Sequence, residues 1–72
     1  MPTDAESERT ERLARVVAMS DEVWQDAEQS RRFLTTPHAE MGGKSPLESA
    51  LTESGARQAE EIMARILYGL PA

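Results

Sequence analysis

Residues 45–71 read SPLESALTESGARQAEEIMARILYGLP, and this stretch decides the fold. Its second half carries apolar residues at helical spacing. Ala56, Ala59, Ile62, Met63, Ile66 and Leu67 fall on one stripe, with Leu70 just beyond. Arg57, Gln58, Glu60, Glu61 and Arg65 lie mostly on the other side, the pattern of a helix with one face against a core. Thr52 can cap the start of this helix, with Glu53 placed near the positive end of its dipole. Gly69 suits the position just past its end, and Pro71 prevents it from continuing. At the other end of the stretch, Ser45-Pro46-Leu47-Glu48 spells a capping box. The Ser45 hydroxyl can accept from the Glu48 N–H, and the Glu48 carboxylate can accept from the Ser45 N–H. Pro46 takes the first helical position, where a missing N–H costs nothing. A short helix over about 46–51 is expected there, followed directly by the long one.

Working outward, residues 36–44 hold Pro37 and the pair Gly42-Gly43. They read as a loop, with glycine where a positive φ is needed. Pro37 disfavours helical geometry at Thr36, so the preceding helix should stop near Thr35. Asp26 is a natural N-cap for that helix, whose apolar side would be Ala27, Ser30 and Leu34, with Phe33 at one edge. Further out, Leu13, Val16, Val17, Val23 and Trp24 recur at helical spacing, and Ser20 falls on the same stripe. One amphipathic helix over about 6–24 fits. A break near Met19-Ser20-Asp21 stays open, since Ser20 or Asp21 could cap a new helix. Residues 1–7 are polar and expected to fray. No alternating strand pattern, internal repeat or low-complexity tract occurs. The expected fold is all-α: a small bundle of three to four helices, with a long first and a long last helix and two short ones between. Its expected core is Leu13, Val16, Trp24, Leu34, Leu47, Leu51, Ile62, Met63 and Ile66.

The 72 residues suit one domain spanning 1–72. A chain this small buries only about 60% of the surface it exposes when unfolded. Small folds gain stability from disulfides, metals or association. The absence of cysteine excludes disulfides and thiolate sites, and one histidine does not make a zinc site. Association remains, which points to a homodimer or an obligate partner. The net charge of −5 argues against nucleic acid and against anionic membranes, because both bind Lys and Arg. No apolar run approaches the roughly 20 residues that span a bilayer. The acidic N-terminus lacks the pattern of a signal peptide, so a cytoplasmic location is expected.

Little in the chain suggests catalysis. Gly42-Gly43-Lys44-Ser45 resembles the end of a phosphate-binding loop, but the glycine that motif requires five positions before Gly43 is replaced by His38. A glycine turn feeding a capped helix explains the same residues. His38 has no cysteine neighbour and only Glu40 as a nearby carboxylate. Serine and threonine fall at caps and turns, where their hydroxyls have backbone roles. Glu60-Glu61 and Asp21-Glu22 are adjacent pairs that point about 100° apart on a helix and do not converge. Arg31-Arg32 suits ion pairing with Glu28 better than phosphate binding. Trp24, at the end of an apolar stripe, fits the core. Tyr68 fits core or interface equally, since aromatic residues are enriched at interfaces. No cofactor or metal is implied.

These residues also carry a resemblance. Arg32-Phe33-Leu34, Thr36-Pro37-His38 and Gly42-Gly43-Lys44-Ser45-Pro46-Leu47-Glu48 come first. Thr52-Glu53-Ser54-Gly55-Ala56-Arg57 and Ile62-Met63-Ala64-Arg65-Ile66-Leu67-Tyr68-Gly69 follow. In order and spacing this run is similar to the C-terminal domain of Xre/MbcA/ParS antitoxins. Val23-Trp24-Gln25-Asp26 resembles the short turn before that family's second helix, so the family-like core covers about 23–72. Met41 stands where the family usually has leucine. The resemblance implies a non-enzymatic protein that binds a RES-domain toxin, which degrades NAD⁺, and holds it inactive. It also implies that the C-terminal end reaches the toxin's active-site pocket: here Tyr68, Gly69, Leu70, Pro71 and Ala72, with Arg65. Many family members bind operator DNA through an N-terminal helix-turn-helix. The acidic segment before Arg32 reads as one helix, so direct DNA binding is not expected. The alternative is a stand-alone helical module for another protein contact or for self-association.

Overall fold

The computed structural model describes residues 4–69. Four helices follow one another: α1 (Asp4–Trp24), α2 (Ala27–Thr35), α3 (Pro46–Ser49) and α4 (Glu53–Tyr68), with a 3-10 turn at Ala39–Met41. Among the described residues no strand forms beyond one isolated bridge between His38 and Lys44. No helix there is long and apolar enough to cross a membrane. The architecture is the expected one, with two long helices enclosing two short ones.

α1 runs unbroken through Met19-Ser20-Asp21. The two residues that could have capped a new helix are used across the interface with α2 instead. Ser20 Oγ lies 2.8 Å from Ser30 Oγ, and Ser30 Oγ donates to Asp21 Oδ1 at 2.7 Å. The Ser30 hydroxyl has one proton, already given to Asp21, so Ser20 is the donor in the first contact. Both serines are fully buried, and this chain satisfies them. α1 stops at Gln25, which adopts φ 52, while its N–H donates to the Asp21 carbonyl at 2.9 Å. Asp26 then caps α2, accepting from the N–H groups of Glu28 and Gln29 at 2.9 and 3.1 Å. Two residues thus link α1 to α2. α2 buries Ser30, Phe33 and Leu34. Ala27, expected on its apolar side, is exposed, and Phe33, expected at the edge, is inside.

Residues 36–45 are more ordered than a plain loop. The His38 N–H donates to the Lys44 carbonyl at 3.0 Å, and the His38 carbonyl accepts from Met41 and Gly43 at 3.0 and 2.9 Å. Gly42 and Gly43 take φ of 67 and 81, which only glycine adopts without strain. The turn buries Met41, whose sulfur accepts from the Ser49 hydroxyl at 3.4 Å. The capping box of α3 forms in both directions, at 3.2 Å from Glu48 N to Ser45 Oγ and 3.1 Å from Ser45 N to Glu48 Oε1.

α3 is two residues shorter than its sequence suggests, and Arg12 supplies the reason. Reaching across from α1, its guanidinium donates to the Ala50 and Leu51 carbonyls at 3.4 and 3.1 Å. With the chain turned there, Ala50 is buried and Leu51, expected in the core, is 51% exposed. Thr52 opens α4 by accepting from the Gly55 N–H at 3.1 Å. α4 then buries Ala56, Ala59, Ile62 and Met63. Exposure climbs along its apolar stripe, from 0% at Met63 to 48% at Ile66, so the stripe outruns the core that it packs on. Ile66 therefore also leaves the expected core set. The core is Val16, Phe33, Leu34, Met41, Ala50, Ala56, Ala59, Ile62 and Met63, with Leu13, Trp24 and Leu47 among the half-buried residues against it.

Candidate functional site

The C-terminal end of α4 brings together the described members of the candidate set. Arg65 sits in its last turn, and its guanidinium donates to Glu40 Oε2 at 3.3 Å. Glu40 belongs to the 3-10 turn, and its backbone carbonyl accepts from the Gln58 side-chain amide. Two side chains of α4, about two helical turns apart, therefore hold one residue of that turn. Arg65 braces the helix end against the body of the domain while its own side chain stays partly exposed. Tyr68 is 67% exposed and makes no ring contact among the described residues. Of the two settings open to it, the surface is the one it takes. Gly69 closes α4 in the left-handed region at φ 63. Leu70, Pro71 and Ala72 lie outside the described residues.

The rest of the α4 surface is charged and cross-linked. Arg15 of α1 lies 3.3 Å from Glu60 and 3.7 Å from Glu53, and Arg57 pairs with Glu53 at 3.8 Å. Exposed pairs such as these contribute about 0–1 kcal/mol each, so they orient the face more than they stabilise it. Arg32 pairs with Glu28 at 3.7 Å, as its spacing implies.

Glu48 has its carboxyl held below the usual glutamate range. The Ser45 backbone N–H is the main cause, the Ser45 side chain adds to it, and Lys44 contributes its charge. The group works as a cap. Gly42-Gly43-Lys44-Ser45 is likewise committed to the turn and the box. Among the described residues, no group of three or more His, Asp or Glu is placed to hold a metal. His38 packs its ring on Phe33 at 5.0 Å, and Phe33 packs on Trp24 at 5.6 Å.

Sequence reasoning named Arg65, Tyr68 and Gly69 but missed Glu40, which fixes Arg65. The Glu40–Arg65 contact spans 25 positions and belongs to no periodic pattern. It also missed the grouping of Trp24, Phe33 and His38, which comes from two helices and a turn.

Comparison with known proteins bears on the family. Residues 19–69 match the family described as antitoxin Xre/MbcA/ParS C-terminal toxin-binding domain. The chain is 33% identical over 64 residues to Antitoxin Xre of Pseudomonas putida, an alignment that covers 89% of this chain. The chain aligns with 40% of the length of that relative. No solved structure matches it. With its helical order, its caps and its glycine turn accounted for residue by residue, the chain belongs to the Xre/MbcA/ParS antitoxin family, as a C-terminal toxin-binding domain.

Proposed function

We propose that this domain neutralises a RES-domain toxin that degrades NAD⁺, and that it does so by occlusion. Arg65, Tyr68, Gly69, Leu70, Pro71 and Ala72 form the contact that enters the toxin's active-site pocket, and the helical body supplies most of the remaining area. The observation that carries this reading is the exposed end of α4: Tyr68 projects from a helix whose last turn is braced through Arg65 and Glu40. An aromatic anchor on a rigid support loses little conformational freedom on binding. The domain contributes no chemistry of its own, and the complex acts in the cytoplasm. The net charge of −5 supports a protein partner over DNA.

The test is co-expression with RES-domain proteins, one encoded beside the gene for this chain being the first choice where there is one, followed by affinity capture and an NAD⁺ assay. A stable complex that preserves NAD⁺ is expected. Deleting residues 70–72 together with Tyr68→Ala should leave the domain folded and restore NAD⁺ loss. If the truncated variant still restrains the toxin as well as the full chain does, occlusion by the C-terminal end is wrong. Failure to bind an active cognate toxin would transfer the reading to a stand-alone interaction module.

A further inference from the structure

α4 has a buried face and an open one. Ala56, Ala59 and Met63 lie on the buried face. Opposite them, at alternating spacings of four and three residues, stand Ser54, Gln58, Glu61, Arg65 and Tyr68. At 1.5 Å per residue, the row from Gln58 to Tyr68 is about 15 Å long. Gln58 and Arg65 are the two members that clasp Glu40, so the row runs beside the turn at Ala39–Met41.

Toward the start of α4 this row enters a groove of about 860 Å³. Arg57, Gln58 and Glu61 line it from α4; Leu51, Met41 and Lys44 line it from the end of α3 and from the turn. The volume lies in the range of about 300–1,000 Å³ in which pockets hold ligands. Leu51 meets solvent there, at 51% exposure. The charges of the groove divide into those already used and those not. Glu48 is held in the capping box, and Glu53 and Arg57 pair with each other at 3.8 Å. Lys44 and Glu61 are left. Among the described residues neither side chain forms an ion pair or a hydrogen bond, and Lys44 acts on Glu48 only through its charge. The groove therefore offers one accessible apolar side chain together with one uncommitted cation and one uncommitted anion.

We infer that the toxin seated on the end of α4 extends along this open face and sets a projecting segment into the groove. The segment places an apolar side chain on Leu51, a carboxylate beside Lys44 and a basic group beside Glu61. Two observations choose this occupant. Specific interfaces bury about 800 Å² on each partner, and the last turn of one helix supplies only a fraction of that. The groove is the continuation of the same face, since Gln58 and Glu61 belong both to its lining and to the row that ends at Tyr68. The inference rests on the toxin-binding reading and gives the two ends of the face different tasks. The groove contributes affinity and selects the partner, while the end of α4 occludes.

The experiment follows the methyl resonances of Leu51 in the selectively labelled full chain, alone and bound to the RES-domain toxin captured above. A soluble paramagnetic agent should broaden them in the free chain and leave them sharp in the complex. Leu51→Gln, Lys44→Glu and Glu61→Lys change exposed positions and should each weaken toxin binding about tenfold. Saturated complexes of these variants should still preserve NAD⁺, because the end of α4 is intact. Arg31→Glu, the same charge reversal at an exposed position of α2 outside the groove, should leave affinity unchanged. Leu51 methyls that stay accessible in a complex that preserves NAD⁺ overturn this inference alone. So does an Arg31→Glu variant weakened as much as Lys44→Glu, since the effect would then be that of net charge. A chain that binds no RES-domain toxin overturns the inference together with the reading beneath it.

Discussion

Gly55→Ala is the substitution for which two elementary effects predict opposite signs. Gly55 lies in the first turn of α4, where alanine has the higher helix propensity by about 1 kcal/mol. Propensity alone would make the variant more stable. The structure says otherwise. A Cβ at Gly55 would sit 1.9 Å from the Ser49 carbonyl oxygen, 2.8 Å from its carbon and 3.0 Å from Thr52 Oγ1. The first two atoms are backbone at the end of α3, so no side chain can rotate away. Restoring even a tight contact requires α3 and α4 to separate by roughly 1 Å, and overpacking of this kind costs about 1–3 kcal/mol, occasionally more. Because the obstacle is backbone in a helix end tied down by Arg12 and the capping box, the upper half of that range applies. Net of propensity, a loss of about 1–2 kcal/mol is expected, which for a domain of this size lowers Tm by roughly 4–16 °C. Thermal unfolding followed by far-UV circular dichroism measures it. Gly43→Ala is the control: no atom lies within 4 Å of its Cβ, and its φ of 81 alone is expected to cost about 1–2 kcal/mol. A Gly55→Ala variant that melts at or above the wild-type temperature would refute the close approach of α3 to α4.

Further substitutions test other parts of the frame by the same assay. Ser45→Ala removes one half of the capping box and should cost about 1 kcal/mol. Because the folded Glu48 carboxyl titrates below its ordinary range, its contribution is fully present above that range and is lost as pH falls through the lowered value. Glu48→Gln, which keeps an acceptor for the Ser45 N–H, should therefore show a flatter fall of Tm with acid; an unchanged acid limb contradicts the assignment. Ser30→Ala removes the middle of the buried Ser20–Ser30–Asp21 chain and should cost about 1–3 kcal/mol, with the Ser20→Ala and Ser30→Ala pair costing less than the sum of the singles. Gln25→Gly relieves a left-handed residue on an exposed turn and should raise stability by about 0.5–1 kcal/mol; a lower Tm would contradict the conformation of that turn.

The parts of this fold that could be read in advance are those governed by neighbours in sequence. Asp26, Ser45 with Glu48, and Thr52 each mark a helix start through a bond to a backbone group a few positions away, Gly69 marks a helix end through its left-handed backbone, and each is found there. What could not be read depends on distant partners. Nothing local to α3 says that it stops at Ser49; the stop is tied to Arg12, 38 positions before Ala50. Leu51 and Ile66 satisfy helical periodicity yet lie outside, because periodicity says which face a residue is on and not how far the opposing surface extends. Phe33 moves inward because the turn at Ala39–Met41 folds back beside it, bringing His38 against its ring. At the candidate site, Arg65, Tyr68 and Gly69 were marked by family likeness, whereas Glu40 required the turn to be placed in space.

Arg12 has a consequence beyond ending α3. The family match begins at residue 19, but Val16, which is fully buried, and Arg12, which holds the end of α3, both precede it. The recognisable motif and the cooperative unit are therefore different lengths of chain. A fragment cut at the family boundary would keep every residue of the end proposed to contact the toxin while losing the α1 turns that seal the bundle. Its amides in α3 and α4 should exchange with solvent together and fast, where in the full chain they would be protected as one block with residues 12–20.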